Sequence, residues 1–470
     1  VHPASQQPEA AHSTSSKLSK NQGDHLNQAT DNRSTEATVP APGAEWAQRV
    51  VAGSVRPVLS ICLITYNRVK FLESLLPRLL EAGIGDLSYE IVLCDNCSTD
   101  STEAVATDWA RRYPQIRYFR QNKNVGALNN LLSAYRLAVG TYSIYLADDD
   151  LLIPEAVAEV VGYLDRHPDV VAAHAPWEMW DDVAQQSLGL FYNITSDRTF
   201  GRNQALELAN LIVDQHIFPE ICIYRTAALH RMHVPPSAGF WAFVYLAVCL
   251  NFGQVAFLKR PFYRSVTRHS VGQERVQLGA VEVVRELDSY RAGLEVLINA
   301  AFRFQGLPGV PAHKIADVQR MIANFMAVRI QVAIRFLREA RKFTAAAQYL
   351  TRLQVAGAIT EEKLALQRRE LAGLMLGQTI VEVCTGISLL NEVVLCDVES
   401  AQSLVALLRL LRAELPVRVV SMDSLRAGAL PGSALVVTSY SAQRDQLIAA
   451  GYPSGLLVCE QELLNVFGVY

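Results

Sequence analysis

From Val55 onward, short unbroken apolar runs alternate with segments in which apolar residues recur three and four apart. "VLSICLITYN" is a buried-strand run closed by turn residues, "RVKFLESLLPRLLEAG" has helical spacing and a terminal Gly, and "YEIVLCDN" is a second apolar run. "STDSTEAVATDWARRYP" opens with capping residues and predicts a helix stopped by Pro114. "IRYFRQ" follows as a strand, "GALNNLLSAYRLAVG" as a helix and "YSIYLADDD" as a strand. This order predicts an α/β fold with a mostly parallel sheet covered by helices, in which ligands bind beyond the C-terminal ends of the strands. Polar residues gather at those ends: Thr65, Tyr66 and Asn67 after the first strand, Asp95 and Asn96 after the second, and Asp148, Asp149 and Asp150 after the fourth.

The remaining segments divide the chain. Residues 1–54 are rich in Ser, Gln, Asn, Thr, Pro and Ala, too poor in large apolar residues to offset ordering entropy, and are expected to form a disordered tail. Residues 55–275 hold the alternating pattern. Residues 276–377 carry long helical patterns, with a helical hairpin expected around "REARKF", and are assigned as a helical connector. Residues 378–470 resume the alternation in "NEVVLCDV", "AQSLVALLRLLRAEL", "VRVVSM", "ALVVTSYS", "AQRDQLIAAG" and "GLLVCEQ". They predict a small Rossmann-like α/β domain without the Gly-rich turn that cradles a pyrophosphate. The most membrane-like stretch, "GFWAFVYLAVCLNFGQVAFL" at 239–258, is interrupted by Asn251, Gly253 and Gln254 and is read as a buried helix running into a buried strand. No spanning segment and no secretory leader are expected.

Composition narrows the class only a little. Half of the 470 residues are hydrophobic and the formal charge is −3, which gives no reason to expect a nucleic-acid partner. The eight cysteines are scattered through apolar segments and predict reduced thiols and a cytoplasmic setting, at most peripheral to the inner face of a membrane. Cys94 and Cys97 form a C-x-x-C, but no second pair or nearby His completes a zinc site.

The Asp triplet is the sharpest signal. Three like charges at the end of a buried strand raise one another's pKa unless a positive group faces them. On the same rim as Asp95 and Asn67, they can hold a hard divalent cation through oxygen ligands while leaving positions for phosphate oxygens. A solvated acidic surface is the plainer alternative.

Taken in order, "ITYNR", "VLCDNCSTDST", "NVGALNN" and "YLADDDLL" resemble the nucleotide-sugar-binding half of family 2 glycosyltransferases with the GT-A fold, over about residues 55–275. The resemblance implies a Rossmann-like mixed sheet flanked by helices and a nucleoside diphosphate sugar as donor. It puts Thr65, Tyr66 and Asn67 against the nucleoside and Asp95 on the nucleobase, beside Asn96, with Ser98 and Asp100 shaping the loop. Gly126 and Asn129 would lie near the ribose and diphosphate. Asp148 and Asp150 would be the D-x-D pair on Mn²⁺ or Mg²⁺, with Asp149 as an alternative contact. "PFYRSVTRHSVG" resembles the closing element of the family, in which Arg264 and His269 approach the metal and diphosphate.

One departure bears on catalysis. Where many inverting relatives carry an acidic pair that supplies the general base, this chain reads "GFWAFVYLAV", with Trp241 and Ala242 in place of the acids. Glu220 and Asp214 are the replacement candidates, with His216 behind them. The expected function is metal-dependent transfer of a sugar to an acceptor hydroxyl in bacterial-type surface glycan or glycoconjugate synthesis, the acceptor being a glycan, a lipid-linked glycan or a protein. The alternative is a sugar-nucleotide-binding scaffold subunit with little transfer activity. A nucleotidyltransferase is disfavoured because no Gly-rich loop follows the first strand. The long apolar faces of the helical connector permit a homo-oligomer.

Overall fold

The computed structural model describes residues 56–272, 284, 286–426 and 432–468; the expected N-terminal tail lies outside them. Strand β1 (Leu59–Thr65) leads into helix α1 (Val69–Ala82), a short strand β2 (Gly83–Asp86), β3 (Tyr89–Asp95), α2 (Thr102–Arg112), β4 (Ile116–Arg120), α3 (Ala127–Leu137) and β5 (Tyr142–Ala147). Each helix forms because its apolar residues fall on one stripe: in α1, Leu72, Leu75, Leu76 and Leu79 are the buried ones. The strands are apolar on both faces because helices cover both.

After the Asp triplet come β6 (Leu151–Leu152), α4 (Pro154–Arg166), β7 (Val170–His174), β8 (Glu178–Asp181), β9 (Gln186–Leu190), β10 (Arg198–Phe200) and α5 (Ala205–Asp214). They are followed by β11 (Cys222–Arg225), α6 (Thr226–Leu229), α7 (Trp241–Cys249), β12 (Gln254–Phe257) and β13 (Tyr263–Arg268). The large sheet has the order β10-β12-β7-β11-β5-β1-β3-β4. Its β1, β3, β4 and β5 run parallel, while β11 is inserted antiparallel between β5 and β7. The chain leaves β1 toward β3 and β4 and returns on the other side as β5, so the switch point lies between β1 and β5. There Ile64 pairs with Ala147, which sets Thr65 beside Asp148.

A second sheet, β6-β13-β8-β9, caps this rim; its short strands are absent from the sequence-based expectation. The membrane-like stretch is the helix α7 and strand β12, as expected. Ala242, Phe243, Val244, Tyr245, Leu246, Ala247 and Cys249 of α7 are all buried, which accounts for a helix that is apolar all round. Among the described residues no helix is long and apolar enough to cross a membrane.

Helices α8 (Leu287–Phe304), α9 (Ile315–Glu339), α10 (Phe343–Val355) and α11 (Glu361–Gly386) follow. The expected hairpin turn falls between α9 and α10, where Arg341 takes a left-handed φ of 56°. One apolar core runs from the large sheet through Leu294, Leu297 and Phe325 to Leu371 and Met375. The last segment holds β14 (Glu392–Cys396), α12 (Ala401–Leu411), β15 (Val417–Val420), α13 (Met422–Arg426), β16 (Ala434–Thr438), α14 (Ser441–Ala449), β17 (Leu457–Cys459) and α15 (Glu460–Val466). Its four strands form a parallel sheet in the order β15-β14-β16-β17, with separate apolar clusters on its two faces. All eight cysteines are free thiols.

Candidate functional site

The switch point gathers the sequence-predicted polar residues on one rim. Thr65 ends β1, and its Oγ1 donates to Asp148 Oδ2 at 2.7 Å. Tyr66 is an exposed aromatic, and Asn67 turns the chain with a φ of 52°, a left-handed conformation that Asn tolerates better than most residues. The Asn67 side chain accepts from Thr99 N at 2.7 Å, and its own N–H donates to Ser98 Oγ at 2.9 Å. That turn delivers Arg68 to the triplet: its Nη1 lies 3.0 Å from Asp148 Oδ1 and 2.5 Å from Asp149 Oδ2.

Asp148, Asp149 and Asp150 are all buried. Burial pushes the Asp148 carboxyl up to about 6; Arg68 and Thr65 pull it down, and Asp149 raises it. Arg68 is itself raised: burial lowers it, but Asp148 and Asp149 outweigh that. Asp150 is oriented differently, accepting from Tyr263 Oη at 2.8 Å and from Val266 N at 2.8 Å, both on β13. It therefore ties the second sheet to the rim. Among the described residues, no three His, Cys, Asp or Glu side chains are grouped so that they could hold a metal ion.

Asp95, fully buried, organises its own loop. Its Oδ1 accepts from Ser98 N at 2.9 Å and Ser98 Oγ at 2.5 Å, and its Oδ2 from Tyr118 Oη at 2.9 Å, with Arg120 Nε 3.4 Å away. Asn96 joins that loop to the next: its Nδ2 donates to Asn124 Oδ1 at 3.0 Å, and its Oδ1 accepts from Val125 N at 2.8 Å. Gly126, with a φ of 85°, starts α3 and donates its N–H to the same Asn124 Oδ1. Asn129 is exposed one turn on, its Nδ2 bonded to Val125 O. Asp100 accepts from Thr102 N at 3.0 Å and Val69 N at 3.3 Å, so it holds two helix starts together.

Arg264 of β13 pairs with Glu178 at 2.7 Å and lies over the Trp180 ring at 4.0 Å, within the second sheet. His269 is buried with its ring edge-to-face on Phe71 at 4.7 Å, and the Arg68 guanidinium lies 5.4 Å from the same ring. Phe71 thus links His269 to the triplet's cation.

The base candidates separate. Glu220 stands two residues before β11, whose antiparallel run begins where β5 ends, so it enters on the triplet's rim. Tyr145 registers this: burial raises its phenol, and Asp150, Asp149, Glu220 and Asp148 add to the rise. Asp214 is exposed at the last turn of α5, a helix packed on α8 and α9. His216 is enclosed by Phe218 and Phe325 at ring separations of 5.3 and 4.3 Å; burial, with Arg329, lowers it to about 4. Trp241 and Ala242 begin the buried helix α7.

Sequence reasoning missed Arg68, although it demanded a positive group at the triplet and quoted Arg68 within "ITYNR". It also missed Tyr118 and Arg120, which the neighbouring strand β4 brings to Asp95, and Tyr263, which arrives from β13 of the second sheet.

Residues 60–231, which span this rim from β1 to the start of β11 and beyond, match the sequence model of Glycosyl transferase family 2. They are a family 2 glycosyltransferase domain. Over 114 residues the chain is 36% identical to abequosyltransferase RfbV of Salmonella typhimurium, covering 24% of this chain and 34% of that protein. Over 102 residues it is 35% identical to chondroitin synthase of Escherichia coli, covering 22% and 14%. A solved mannosyltransferase from Pyrobaculum calidifontis, in complex with GDP-Man and Mn²⁺, is similar over 79% of this chain and 91% of that one, at 14% identity and a TM-score of 0.39. The chain spans about a third of the length of the first of these relatives, and less of the second.

Proposed function

We propose that this chain is a glycosyltransferase that takes a nucleoside diphosphate sugar at the β1–β5 rim and passes the sugar to an acceptor hydroxyl. The observation that carries the reading is the coincidence of the family match over 60–231 with a rim on which Thr65, Arg68, Asp95 and the Asp triplet converge. Thr65, Tyr66, Asn67 and Asn96 frame the nucleoside, while Asp95 acts through the loop it holds. Gly126 and Asn129 border the diphosphate. The names of the relatives, an abequosyltransferase and a chondroitin synthase, support a glycan acceptor and a role in surface glycan synthesis.

A divalent cation fits the donor set: Asp148 and Asp149 offer hard carboxylate oxygens that already surround one cationic nitrogen. Asp148 and Asp149 would hold Mn²⁺ or Mg²⁺, with Asp150 fixing the loop and His269 behind Phe71. When bound, the ion would neutralise charge on the departing diphosphate. In the transfer, the acceptor oxygen bonds to the anomeric carbon, the bond to the diphosphate breaks with its electron pair, and Glu220 takes the hydroxyl proton. Glu220 is favoured over Asp214 because only the former enters on the triplet's rim.

Calorimetric titration with UDP, GDP, dTDP and CMP, with and without Mn²⁺, tests the donor site. One nucleotide is expected to bind, and Asp148→Asn to weaken it at least ~10-fold. Glu220→Gln is expected to leave donor binding intact and lower transfer by about 10²–10⁴-fold. Absence of any nucleotide binding overturns the reading. Binding without transfer in the unaltered protein favours the scaffold alternative, which the apolar residues Trp241 and Ala242 at the usual base position support.

A further inference from the structure

Two carboxylates on successive buried residues share one guanidinium nitrogen, and that contact has a consequence for how the donor binds. Asp148 and Asp149 are 4% and 2% exposed, so water does little to screen their repulsion. Arg68 Nη1 lies 3.0 Å from one and 2.5 Å from the other, which sets one cationic nitrogen against both. The Arg68 side chain is 20% exposed, rests against Phe71 and follows directly on the exposed Asn67 at the mouth of the rim.

Resting on the donor-site reading above, we propose that Arg68 is an internal counter-cation that a divalent ion must displace, and that it is displaced only when a nucleoside diphosphate arrives with the ion. The contact itself argues for it. Arg68 Nη1 already occupies Asp148 Oδ1 and Asp149 Oδ2. A divalent ion added beside Arg68 would put two cations against the same oxygens, a like-charge contact that a buried site penalises. Exchange resolves the conflict: the ion takes the carboxylates and the freed guanidinium turns to the diphosphate, whose oxygens its planar fork can bond in pairs. Without the diphosphate, the guanidinium loses its partner and the exchange is unfavourable. Ion and nucleotide therefore bind as a coupled pair, and Arg68 sets the coupling.

Electron paramagnetic resonance titration of Mn²⁺ into the full chain reads this directly, without any turnover. In the unaltered protein, Mn²⁺ alone is expected to bind weakly and to tighten at least ~10-fold when the nucleoside diphosphate identified by calorimetry is present. In Arg68→Gln, Mn²⁺ alone is expected to bind at least ~10-fold more tightly than in the unaltered protein, and the nucleotide to add little. Arg68→Lys keeps a charge without the planar fork and is expected to lie between them. Equal Mn²⁺ affinity in the unaltered protein and Arg68→Gln overturns the proposal while the donor site stands. So does Mn²⁺ affinity in the unaltered protein that ignores the nucleotide, a result that needs no variant to fold. Nucleotide binding with no Mn²⁺ binding in any of the proteins also overturns it and leaves a metal-independent donor site. Failure to bind either ligand removes the donor-site reading as well.

Discussion

Asp95 shows how a predicted ligand contact can serve as an organiser. Both of its oxygens are engaged by Ser98, Tyr118 and Arg120, so its charge fixes the loop on which Asn67 and Ser98 meet. Away from the rim, His174 carries the clearest pH signature. It is buried on β7 with its ring stacked on Phe257 at 4.9 Å, and burial lowers it to about 3. Its folded value lies below the unfolded one of about 6.5, so its neutral form is no liability above that pH. As pH falls from about 6.5 toward 3, the unfolded chain takes up a proton at His174 that the folded one refuses, and this residue's contribution lowers stability by about 1.4 kcal/mol per pH unit. His174→Phe is expected to flatten the melting temperature across that window relative to the unaltered protein, as differential scanning calorimetry at several pH values would show. At this scale the sequence exposed Asp95 and the Asp triplet because each ends an apolar run. It concealed their partners: Tyr118 lies 23 residues from Asp95, and Tyr263 lies 113 residues from Asp150.

The elements most legible in the sequence are those whose apolar pattern is local. The strands and helices from β1 to β5, short β2 apart, appear where periodicity put them, as do the strands of the sheet β15-β14-β16-β17. The second sheet was not legible, because β6 has two residues, β8 has four and every residue of β9 is exposed, so neither alternation nor an apolar run marks them. Asp182, after β8, anchors that sheet instead: Arg78 of α1 grips it with bonds of 2.8 and 3.2 Å, and Ser270 donates at 2.6 Å. Against the effect of burial, Arg78 and Ser270 hold its carboxyl well below the usual range. Phe240, which caps the start of α7, meets α8 backbone to backbone. A Cβ on Gly293 would stand 2.8 Å from Phe240 O and 3.0 Å from Phe240 N. Gly293→Ala is expected to force the helices apart and cost about 1–3 kcal/mol, read as a lower denaturant midpoint at unchanged slope.

For the molecule as a whole, the helices after residue 286 complete the first core. Leu294, Leu297 and Ile298 of α8 are buried in the cluster that also holds Phe240 and Phe243, and Phe240 N donates to Ser289 O at 2.8 Å. A chain ended at residue 275 would leave that apolar face of α7 in water and is expected to aggregate on size-exclusion chromatography, whereas the full chain elutes as a discrete species. The apolar helices and the sheet they cover were each legible, but their merger into one core was not, since local periodicity says nothing about which face meets which.

That shared core also sets an order of events in the cell. A ribosome delivers the chain from its N-terminal side, and the triplet and β11 emerge well before residues 287–304. Until α8 has left the exit tunnel, the face of α7 that meets α8 stays uncovered and the Phe240 amide lacks its Ser289 acceptor. The sheet can pair early, yet its last helix must wait for sequence some fifty residues downstream. Synthesis therefore sets the earliest moment at which this region can close.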